Sequence, residues 1–91
     1  MKKRVHVWIY GKVKNVFFRA SIKEKADKLG IRGFVRNNEE DIEAVFEGDK
    51  ERIDEMLEYC RTGPKYAKIE KIREKEETYF ADFKEFKILY F

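Results

Sequence analysis

The most chemically loaded stretch of this chain is Tyr10-Gly11-Lys12-Val13-Lys14-Asn15-Val16-Phe17-Phe18-Arg19, which leads from a strand-like pattern into a helix-like one. The first amides of a helix have no partners within the helix, and the helix dipole favours an anion there. An arginine in the first turn is unfavourable for the helix alone, because cations are preferred at the other end. A bound anion reverses that balance, since guanidinium presents a fork matched to phosphate oxygens. Read locally, the segment is either an anion cradle ending in Arg19 or an ordinary turn with a solvated arginine.

The usual nucleophiles are poorly placed. Cys60 falls on an apolar helical stripe, where a free thiol acts as a small buried hydrophobe. His6 sits mid-strand on the same face as Trp8, and no carboxylate or serine partner lies near it in sequence. Ser21 opens a helix without a base beside it, and the acidic residues are scattered over helix faces and turns. With one Cys and one His in the whole chain, an intramolecular disulfide and a zinc site of ordinary composition are both excluded. An enzyme built on this chain works without a protein nucleophile.

Ninety-one residues make one small domain, expected over residues 3–91. Lys and Arg number 21 against 18 Asp and Glu, a net charge of +3, far from the dense basic field of a nucleic-acid-wrapping protein. Aromatic residues are 15% of the chain, enough bulk to fill a core and exclude disorder. Gln is absent while Lys, Glu and Arg abound, a profile associated with thermophilic proteins. No apolar run approaches the roughly 20 residues that span a bilayer. The basic start MKKRVHVWIYGKV alternates and lacks a signal-peptide core, so a cytoplasmic setting is expected.

The elements that must position the loop are legible from period and punctuation. Val5, Val7 and Ile9 alternate as a strand that ends at Gly11; Ile22, Ala26 and Leu29 form one helix face, stopped at Gly30. Residues 31–37 and the alternating Ile42, Ala44 and Phe46 read as a hairpin closed by Asn38 to Asp41. Asp49 is a plausible N-cap for a second helix with the stripe Ile53, Met56, Leu57 and Cys60, ended by Thr62-Gly63-Pro64. Residues 66–75 form a fourth strand, bulged because Ile69 and Ile72 break the alternation. Residues 76–82 read as an acidic turn, and Phe86, Ile88 and Tyr90 as a short closing strand. The order βαββαβ plus a final strand predicts an α+β, ferredoxin-like sandwich, an antiparallel sheet with two helices on one face. That fold serves many functions and decides none.

Gly11 to Arg19 resembles the signature loop of the acylphosphatase family, commonly G-x-V-Q-G-V-x-F-R. Gly33-Phe34-Val35-Arg36-Asn37 resembles that family's second motif, G-[WFY]-V-x-N, and the likeness continues through Glu43 to Gly48, Gly63-Pro64 and Glu85 to Ile88. The resemblance implies hydrolysis of acyl phosphates to a carboxylate and inorganic phosphate. It implies that Arg19 grips the phosphoryl oxygens, that the loop amides of Val13, Lys14, Asn15, Val16, Phe17 and Phe18 wrap the same group, and that Asn37 orients the attacking water. No metal or cofactor is implied; the expected partners are a small acyl phosphate and, as competing anions, phosphate or sulfate. A carboxylate with a pKa of roughly 4 leaves without a general acid.

Two departures from the pattern stand out. Lys14-Asn15 replaces the usual Gln-Gly, and the turn Asn38-Glu39-Glu40-Asp41 is short, acidic and without glycine. Lys14 either strengthens anion binding or points into solvent; Arg36, Asn38 and Lys12 read as solvated or turn residues. A module that binds anions without efficient turnover is the alternative reading. An RNA binder would need solvent-facing aromatics on paired central strands, which Trp8 and Tyr10 supply for one strand only.

Overall fold

The computed structural model describes residues 1–14 and 17–90. β1 (Lys2–Lys12) buries Val5, Val7 and Ile9 and is flanked on both sides: β3 (Asp41–Asp49) pairs antiparallel along one edge and β4 (Lys68–Glu77) along the other. β2 (Arg32–Asn37) pairs antiparallel with β3, and β5 (Phe86–Leu89) lies outside β2, giving the order β4-β1-β3-β2-β5. α1 (Phe18–Leu29) and α2 (Lys50–Thr62) send Ile22, Ala26, Ile53, Met56, Leu57 and Cys60 into one core with the inward residues of β1, β3 and β2. This is the ferredoxin-like α+β sandwich that the pattern predicts.

The boundaries differ where pairing overrides local punctuation. β1 runs past Gly11 to Lys12, because its partner β4 carries an extra residue there: Tyr10 pairs with Lys71, and Gly11 with Ile69. This register shift is the expected bulge. Glu76 and Glu77 belong to β4 rather than to a turn, since Val5 and Arg4 continue the ladder opposite them.

β5 makes the sheet mixed. It pairs parallel with β2, Gly33 opposite Phe86 and Val35 opposite Ile88, while the other four strands are antiparallel. The cause is the route of the chain. After β4, residues 78–85 cross the face away from the helices, where the Phe83 ring meets Phe34 and the Arg4 guanidinium. The chain therefore enters the far edge in the direction of β2. No helix is long and apolar enough to cross a membrane among the described residues.

Candidate active site

Phe18 fixes where α1 begins. Its ring is fully buried and meets Tyr59 of α2 edge-on at 6.5 Å, so the next residue, Arg19, is left half-buried at the end of the helix. Phe17 is the N-cap, with φ 61° and ψ 23°, and makes no side-chain cap hydrogen bond; no acidic residue occupies the first turn. The helix thus starts with its amides uncapped by any described side chain. Asn15 and Val16, expected in the cradle, lie outside the described residues.

Asn37 reaches the same end of the molecule from β2. It follows Val35 by two residues and pairs with Ile42, so its side chain falls on the helix-facing side of the sheet. A cavity of about 330 Å³ is lined by Val13, Lys14, Phe17, Phe18, Arg19 and Asn37. All the described residues named as candidates from sequence therefore meet at one site. Asn37 Oδ1 is buried with no hydrogen-bond partner among the described residues. Buried polar atoms are nearly always paired, and the exceptions call for a reason.

The remaining walls escape sequence reading. Ala20, Ile88 and Tyr90 complete the lining, and the Arg19 guanidinium lies 5.2 Å from the centre of the Tyr90 ring. Among the described residues Arg19 pairs with no carboxylate. The alternation through Phe86, Ile88 and Tyr90 marks a strand, but nothing local announces that its end covers an arginine from α1.

Lys14 does not simply point into solvent. Its ammonium donates hydrogen bonds to the backbone carbonyls of Asn38 and Glu39, joining the segment after β1 to the turn after β2. Asn38 is a turn residue, its backbone amide donating to the Asp41 carbonyl at 2.8 Å, while Arg36 is paired rather than free in solvent; both donate to Glu43 Oε1, Arg36 at 2.8–2.9 Å and Asn38 at 3.1 Å. The reason is the sheet. Pairing puts Glu43 directly opposite Arg36 and Trp8 on the face away from the helices.

Glu43 is the hub of that face. His6 Nε2 lies 2.6 Å from Glu43, and its Nδ1 lies 3.0 Å from Glu77; both carboxylates are far from His6 in sequence. Burial pushes the Glu43 carboxyl up, but hydrogen bonds from Asn38, His6 and Arg36 outweigh it, and the net shift is below the ordinary glutamate value. Glu77 is lowered by its bond to His6, against burial and with help from Arg4.

The nucleophile candidates are occupied or inert. Ser21 Oγ donates to the carbonyl of Phe18 at 2.8 Å. Cys60 is fully buried, and burial pushes its thiol up to about 12. Among the described residues no group of three or more His, Cys, Asp or Glu side chains is placed to hold a metal ion.

The sequence profile named Acylphosphatase matches residues 5–88, nearly the whole chain. The chain belongs to the acylphosphatase family. An acylphosphatase of Syntrophus aciditrophicus is 44% identical over 91 residues, covering 99% of this chain and 95% of that protein. One of Pyrobaculum aerophilum is 47% identical, covering 94% and 93%. The solved acylphosphatase of Coxiella burnetii superposes with a TM-score of 0.92 at 31% identity, over 97% of this chain and 93% of that one. Full-length relatives of this kind place the chain among acylphosphatase enzymes.

The acylphosphatase motif at β2 has a steric reason for its glycine. Gly33 has φ +142°, and a Cβ there would sit 1.8 Å from the Val45 carbonyl oxygen. Only glycine lets β2 lie this close to β3 and carry Asn37 to the cavity.

Proposed function

We propose that this acylphosphatase splits the carboxyl–phosphate bond of an acyl phosphate by attack of a water molecule oriented by Asn37. Arg19 and the loop amides from Val13 to Phe18 hold the phosphoryl group. The water oxygen bonds to phosphorus, the bond from phosphorus to the acyl oxygen breaks, and both water protons leave with inorganic phosphate. The carboxylate departs ionised. With so good a leaving group, what remains for the protein is to position water and to stabilise phosphoryl charge.

One observation supports this reading above the others: Asn37, whose Oδ1 is buried without a described partner, lines the same cavity as an arginine that has no described carboxylate partner. An oxygen held without a donor is suited to accept a hydrogen bond from a water in line with the phosphoryl group. The tie from Lys14 holds the two sides of the cavity together. The reading covers one domain, residues 3–91, in the cytoplasm, and calls on no metal or cofactor.

The test is benzoyl phosphate hydrolysis by wild type, Arg19→Ala and Asn37→Ala at equal folded concentration. Each variant should lose roughly 100-fold or more in turnover, the usual effect of removing one transition-state contact. Inorganic phosphate or sulfate should inhibit competitively and raise the melting temperature. A wild type no faster than its variants, yet stabilised by phosphate, would establish the anion-binding module instead. RNA binding is disfavoured by the sheet face away from the helices, which residues 78–85 partly cover and where Glu43 and Glu47 lie opposite Trp8 and Arg4.

A further inference from the structure

Phe17 combines two features that folding alone does not favour. Its backbone is left-handed, at φ 61° and ψ 23°, a region that bulky residues rarely occupy. Its ring is nonetheless 85% exposed, so no burial offsets that strain. Tyr90 is 79% exposed and lines the same cavity from β5's end, with its ring over Arg19. Tyr66 and Phe80 are also exposed, yet neither lines this cavity; scattered exposed aromatics are ordinary.

We infer that Phe17 and Tyr90 form an aromatic mouth that receives the acyl group and favours aromatic or branched apolar acyl phosphates over short ones. The inference rests on the site hydrolysing acyl phosphates. In-line attack places the leaving carboxylate opposite the water, so a substrate held by Arg19 and the loop amides directs its acyl group away from Asn37. Ile88 and Ala20 continue the apolar lining. Of the charged groups in the described lining, the Lys14 ammonium is taken up by the Asn38 and Glu39 carbonyls, and Arg19 serves the phosphoryl group. No carboxylate lines the cavity among the described residues, so a cationic acyl group has no counterpart there. Two rings with few rotatable bonds offer apolar area at little entropic cost.

The test compares benzoyl phosphate with acetyl phosphate by kcat/KM, and benzylphosphonate with methylphosphonate by calorimetry, in wild type, Phe17→Asn and Tyr90→Ser. Asparagine tolerates the left-handed backbone, which protects folding. Wild type should favour the aromatic member of each pair by about tenfold or more, and the ratio should fall to within about twofold in each variant. The ratio is the readout, whatever the absolute rates. A wild-type ratio near one, or a ratio that both variants leave unchanged, overturns the aromatic mouth. If no acyl phosphate is turned over while ring-dependent phosphonate preference persists, the hydrolytic reading fails and the mouth stands as a binding feature.

Discussion

The ammonium of Lys14 donates to the backbone carbonyl of Asn38, the neighbour of Asn37, and thereby ties the loop after β1 to the turn after β2. Asn38 is itself held from its side chain, donating to Asp41 at 2.7 Å and to Glu43 at 3.1 Å. The strap thus connects the cradle loop, through Asn38, to the charged face of the sheet. Two of the departures from the common family pattern, Lys14 and the short acidic turn, contact each other.

Lys14→Met should lower kcat about tenfold, since charged hydrogen bonds of this kind contribute roughly 1.5–3 kcal/mol and the turn beside Asn37 would loosen. The inhibition constant of inorganic phosphate should change less than about threefold, because the strap is not directed at the anion. Lys14→Arg, which keeps donors for both carbonyls, should restore most of the rate. Steady-state kinetics with phosphate inhibition separate this positioning role from direct anion binding, which would weaken phosphate instead.

Asn37→Ala should lose activity without losing stability. Removing a buried oxygen that has no described partner relieves a desolvation penalty of about 1–3 kcal/mol, set against a small cavity. The urea midpoint should stay level or rise by the equivalent of about 1 kcal/mol at most. A clear fall in the midpoint would mean that the side chain is a structural bond in the native state.

Gly33→Ala should destabilise by more than about 3 kcal/mol, because the new methyl meets the Val45 backbone and the backbone conformation is strained for any side chain. Chemical denaturation measures the loss. Turnover should fall with the folded fraction, since the substitution separates β2 from β3 and displaces Asn37.

Acid should weaken the fold through Glu43 and Glu77. Both have folded-state values below the ordinary 4.5, so their contribution is complete above that value and is lost as pH falls through the folded one. Urea midpoints should therefore decline on going from pH 5 towards pH 3. Glu43→Gln should lower stability at pH 7 and narrow the gap between neutral and acid midpoints. An equal gap in wild type and variant would show that Glu43 contributes nothing to the acid limb.

Much of the fold was legible in the sequence because its signals are local. The apolar stripe of Ile53, Met56, Leu57 and Cys60, the glycine stops at Gly30 and Gly63, and the alternation in β1 and β3 depend only on residue spacing. Arg19 and Asn37 were legible as candidate site residues through motifs that resemble a family pattern. The end of β1 and the extent of β4 were misplaced because a bulge and continued pairing outweighed Gly11 and the acidic run.

By itself, the sequence determined the order of elements, the two helical faces, the bulge and a loop poised before a helix N-terminus, all properties of residues near one another in the chain. Only the tertiary structure decided that Tyr90 covers Arg19, that His6 lies between Glu43 and Glu77, and that Lys14 reaches the Asn38 carbonyl. These contacts depend on strand register and on the path of residues 78–85 over the sheet. A one-residue slip in register would turn each strand's side chains to the other face, and no local pattern encodes that choice.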